Sequence, residues 1–80
     1  MGQSVKISVK TVAGAQITIK IYNLTGEYIK TIQQTASVTG WYELYWDVTN
    51  RENAVVGRGL YFLHIRYASN QVIRRVFVVK

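Results

Sequence analysis

IYNLTGEYIKTI, residues 21 to 32, joins two apolar stretches through a turn that contains Asn23 and Gly26. Asn23-Leu24-Thr25-Gly26 suits a bulged hairpin connection of about three to five residues, in which Gly26 supplies the φ > 0 position. Ile29 and Ile32 stand three apart. On a regular strand side chains alternate, so both cannot face inward, and the spacing predicts a β-bulge or a strong local twist.

The same two-residue period extends along the chain on both sides of this hairpin, as half-buried strands require. VKISVK sets Val5, Ile7 and Val9 against Lys6, Ser8 and Lys10, and ITIKIYN sets Ile17, Ile19 and Ile21 against Thr18, Lys20 and Tyr22. YELYW sets Tyr42, Leu44 and Trp46 against Glu43 and Tyr45. LYFLHIRY sets Tyr61, Leu63, Ile65 and Tyr67 against Phe62, His64 and Arg66. The expected core is Ile19, Ile21, Leu44, Trp46, Tyr61, Leu63 and Ile65. Sliding any strand by one residue would turn its apolar row to water, so register is well specified. Residues 13–15, 50–53 and 68–71 read as turns, Gly40 opens the aromatic strand, and Gly59 is expected where backbones approach closely. In VIRRVFVV both parities are apolar, and Arg74 and Arg75 point to opposite faces, one of them snorkelling at the rim of the core. No helical period occurs, and proline is absent. The pattern predicts an all-β antiparallel sandwich of about seven strands, the last counted being a short one over 54–56, or else a small barrel.

Eighty residues make one domain, with residues 1–4 a lead-in or linker and 5–80 the folded unit. The chain has no cysteine, so neither a disulfide nor a thiolate metal site is available to it. A net charge of +6 raises nucleic acid or an acidic surface as partners. No apolar run reaches the roughly 18 residues of a membrane span. Met1-Gly2-Gln3-Ser4 is not a signal peptide, and an export signal is expected upstream, in a parent protein.

Catalytic chemistry has thin material. His64 is the one histidine and there are four acidic residues, none closely paired, so no enzymatic activity and no cofactor are expected. The segment from Asp47 fails as a calcium loop. Thr49 and Arg51 occupy its third and fifth places, and Arg58 stands where a bidentate glutamate is needed. A polar turn, with Asp47 accepting backbone N–H groups and Asn53 left-handed, explains it better. Asn23-Leu24-Thr25 fits a glycosylation triplet, but the turn already accounts for Asn23.

Lys6, Lys10, Lys20, Lys30, Arg66 and Arg74 lie on strands, as in oligonucleotide-binding barrels. They are spread singly, however, as guards against edge pairing also are, and nucleic acid is disfavoured. Tyr22, Trp41, Tyr45 and Phe62 share outward parity. Placed on one sheet they would form a platform for sugar rings or a partner protein.

IYNLTGEYIKTI, GWYELYWD, GLYFLHI and RRVFVVK, in that order, resemble the C-terminal β-sandwich domains of exported bacterial proteins. Two groups share the layout: the sorting domains of type IX secretion, and the immunoglobulin-like domain of the flagellar hook-capping protein. Tyr22, Asn23 and Gly26 fall on the hairpin signature. Gly40, Trp46 and Asp47 fall on the stretch that usually continues into glycine, where Val48 stands here, and Gly59 with Tyr61 and Phe62 on the next strand. Arg74, Arg75 and Lys80 match the basic residues flanking the final aliphatic strand. The resemblance implies an immunoglobulin-like sandwich without catalytic activity, the C-terminal module of a larger secreted or cell-surface protein. It also implies partners in the upstream domain and the secretion machinery or a surface component, with Arg74, Arg75 and Lys80 as recognition residues. The last basic-aliphatic pattern tilts the reading toward sorting, and a glycan-binding adhesive module is the alternative.

Overall fold

The structure, a computed structural model, describes residues 4–79. Its strands are β1 (Val5–Thr11), β2 (Gln16–Asn23), β3 (Tyr28–Thr35), β4 (Gly40–Trp46), β5 (Gly59–Tyr67) and β6 (Asn70–Val78). All pairings are antiparallel, and they build two sheets, β1-β4 and β3-β2-β5-β6. The chain passes between sheets after β1, β3 and β4, which gives the sandwich and overturns the barrel alternative.

Side-chain alternation supplies the core. Ile7 faces Leu44 across β1-β4, while Ile19 and Ile21 face Ile65 and Leu63 across β2-β5. Trp46, Ile17, Ile19, Ile21, Leu44 and Leu63 are fully buried, and every residue of the expected core lies in the cluster. Ala36, Val48 and Val56 join it from the connections and Val78 from β6.

The expected bulge sits between β2 and β3. Ile21 pairs with Lys30 and Tyr22 with Tyr28, so Ile29 is the extra residue. That insertion lets Ile29 and Ile32 both pack against the core.

The short strand expected over 54–56 does not form. Residues 54–56 contribute one bridge, Thr49 to Val55, around a tight turn at 51–52, and the backbone is left-handed at Val48 (φ 54°) and Asn53 (φ 64°). Val48 adopts the left-handed conformation that glycine takes most readily, and a β-branched residue does so at a cost of about 1–3 kcal/mol. Burial of its side chain and a 2.8 Å bond from Val56 N–H to its carbonyl hold it there.

Candidate functional site

The hairpin residues are structural. The Asn23 side-chain oxygen accepts from the Thr25 N–H (3.1 Å), the Thr25 hydroxyl (2.9 Å) and the Glu27 N–H (2.8 Å), while its amide donates to Glu27 Oε1. Gly26 takes φ of 91°, as the turn requires. Asn23 thereby organises the loop.

Trp46 and Tyr61 pack edge to face, 5.5 Å between ring centroids. Their polar atoms reach backbone: the Trp46 indole N–H donates to the Thr49 carbonyl at 2.8 Å, and the Tyr61 hydroxyl to the Gly57 carbonyl at 2.8 Å. Burial pushes the Tyr61 hydroxyl pKa above its ordinary value. Asp47 accepts from the Thr49 hydroxyl and backbone N–H, and Lys30 lies 3.6 Å away. The hydroxyl bond, with help from the Lys30 charge, holds its carboxyl below the usual aspartate value. Asn50 organises the turn expected over 50–53. Its side-chain oxygen accepts the N–H groups of Glu52 and Ala54, a short-range Asx pattern that Asn50-Arg51-Glu52-Asn53 already contained. At Gly59 no atom lies within 4 Å of where a Cβ would stand, so close backbone approach is not its role. Its φ of 155° is the feature that favours glycine.

The four outward aromatics do not form one platform. Trp41 and Tyr45 lie on β4, opposite Lys10 and Lys6, on the outer face of the two-stranded sheet. Tyr22 and Phe62 are direct partners on the outer face of the other sheet. Equal parity could not show this, because parity fixes inside or outside but not which sheet a strand joins.

Arg74 and Arg75 are likewise separated. Arg75 stands opposite Phe62 on the outer face. Arg74 stands opposite Leu63, at inward parity on the edge strand, yet is exposed in a groove that Val5 and Ile7 of β1 line and Arg75 also borders. This is the snorkelling arginine at the core rim. Lys80 lies outside the described residues.

The outer face of β3-β2-β5-β6 brings together what sequence reading left scattered. Lys20 faces His64 across β2-β5, and Thr18 faces Arg66. The Tyr22 ring leans on His64 at 4.8 Å and meets Tyr28 edge-on at 5.9 Å. A cleft of about 380 Å³ opens over Thr18, Lys20, His64 and Arg66. Among the described residues no group of three or more His, Cys, Asp or Glu is placed to hold a metal ion.

The profile of the FlgD Ig-like domain matches residues 1–71. The chain belongs to the FlgD Ig-like domain family. No curated protein and no solved structure matches it significantly. As a FlgD-type immunoglobulin-like module, it has its matched segment running through β5 and into the start of β6.

Proposed function

We propose that this FlgD-type domain is a non-catalytic module of an exported bacterial protein, delivering or attaching its parent through protein contact along β6. The observation that carries the reading is the character of that strand. β6 borders the four-stranded sheet and pairs only with β5 among the described residues. It leaves Ile73 and Phe77 more than half exposed beside Arg75, with Arg74 on its other side. A sheet edge that keeps large apolar side chains in water is suited to a partner, and arginines limit pairing with the wrong one. The finer reading is sorting by type IX secretion machinery, with Arg74, Arg75 and Lys80 read as charge beside the strand. The upstream domain and a cell-surface component are the remaining partners, and the location is secreted or surface-bound.

The test is a reporter carrying a signal peptide and ending in this domain, expressed in cells with type IX machinery. Surface delivery is expected. The triple change Arg74→Gln, Arg75→Gln and Lys80→Gln should reduce delivery and leave the melting temperature within a few degrees, since exposed charges contribute little. Failure of the intact domain to deliver the reporter would remove the sorting role.

A further inference from the structure

The strands β2, β3, β5 and β6 contain no aspartate or glutamate, yet carry Lys20, Lys30, Arg66, Arg74 and Arg75 together with His64. The acidic residues lie elsewhere, at Glu27 in the hairpin turn, Glu43 on β4, and Asp47 and Glu52 in the loop that follows. Among the described residues the side-chain ion pairs are Lys6 with Glu43 and Lys30 with Asp47. Lys20, Arg66 and Arg75 therefore present their charge on one outer face, with no carboxylate of the described residues in an ion pair with them.

We infer that the cleft on this face binds an acidic oligosaccharide, with Lys20 and Arg66 holding a sugar carboxylate. The register places the groups that such a ligand needs. Lys20 is paired with His64, and Arg66 lies two residues beyond His64 on β5, so Lys20 and Arg66 are diagonal neighbours on one face with the imidazole beside both. Gln33 and Gln71 face the same cleft from the strands on either side. Their amides and the Thr18 hydroxyl offer both donors and acceptors, which sugar hydroxyls require and a bare anion does not. Tyr22 forms an aromatic wall against which the apolar face of a pyranose ring can lie. The volume, about 380 Å³, falls at the small end of ligand clefts, which run from about 300 to 1,000 Å³.

A nucleic acid fits less well. Single-strand binding uses a continuous cationic track with exposed rings on which successive bases stack. Here Tyr22 is the one Phe, Tyr or Trp side chain among the described residues that lines the cleft, so a following base meets no second such ring there. Beyond His64 the row continues into Ile73, which is apolar. The site is a local anion pocket with sugar-type polar lining. This inference does not depend on the export reading.

The experiment titrates the chain with tetragalacturonate at low salt, following backbone amides by NMR, with the fully methyl-esterified tetramer and a thymidine oligonucleotide as comparison ligands. The acid form should shift the amides of Thr18, Lys20, His64 and Arg66. Esterification should weaken binding by about tenfold or more, as should added salt that screens the charges. Lys20→Gln with Arg66→Gln should also lower affinity at least about tenfold. Trp41→Ala, on the other sheet, should not change it. The inference is overturned by absence of binding, by equal binding of the ester, by tighter binding of the oligonucleotide at the same residues, or by shifts that map to Trp41 and Tyr45. Should the double variant fail to fold, the wild-type shift map and the ester comparison decide the matter.

Discussion

Trp46 closes the end of the core where β4 runs into its following loop. It is wholly buried, touches Tyr61 edge-on and donates to the Thr49 carbonyl. Trp46→Ala therefore removes a large core side chain and orphans a loop carbonyl, and should cost about 3–5 kcal/mol by urea denaturation. A loss under about 1 kcal/mol would show that the loop collapses to fill the space. Thr11 is the opposite case. Its hydroxyl is buried at the end of β1 with no hydrogen-bond partner. Val has nearly the same shape and no polar atom to desolvate, so Thr11→Val should raise stability by about 1 kcal/mol. A decrease would mean that the hydroxyl is satisfied in solution.

The β2–β3 hairpin shows how an element follows from short-range chemistry. The Asn23 side chain gathers the N–H groups of the turn, Gly26 takes a backbone conformation closed to most residues, and the bulge at Ile29 absorbs the odd residue. No atom lies within 4 Å of a Cβ built on Gly26, so Gly26→Ala tests backbone strain alone. It should cost about 1–2 kcal/mol in thermal or chemical unfolding, and a neutral result would show that the turn relaxes at no cost. The hairpin was legible because its determinants lie within a few residues of one another. The loop after β4 was less so. Its polar residues announced a turn, but the burial of Val48 in a left-handed conformation depends on a core assembled from distant strands.

On the scale of the whole molecule, two sheets must be held in one relative position. Apolar packing does most of this, and the loop 47–56 adds polar ties across the layers. Lys30 of β3 donates to the Thr49 hydroxyl at 2.8 Å, and the Arg51 N–H donates to the Ile29 carbonyl at 2.9 Å. Asp47 completes the tie, and its pKa in the folded state lies below its ordinary value of 3.8. A carboxylate of lowered pKa contributes stability that is present above the unfolded value and is lost as pH falls through the folded one. Stability should thus decline below about pH 4. Asp47→Asn should flatten that acid limb while costing little at neutral pH, because the carboxylate is largely exposed. An unchanged acid limb in the variant would place the acid sensitivity elsewhere.

Strand positions, inward parity, the hairpin turn and the bulge were determined by the sequence itself. Each depends on side-chain alternation and turn chemistry over a few residues, which survive in any arrangement of the strands. Tertiary structure alone decided which strands share a sheet. It separated Trp41 and Tyr45 from Tyr22 and Phe62, and it decided that Arg74, of the two adjacent arginines, is the one at the core rim. It also reduced the expected seventh strand to a single bridge. The same step brought Lys20 onto one acid-free face with His64 and Arg66, although it lies more than forty residues from them along the chain. The physical reason is that alternation encodes a direction relative to the core, whereas a neighbour across a ladder is fixed by pairing between distant segments.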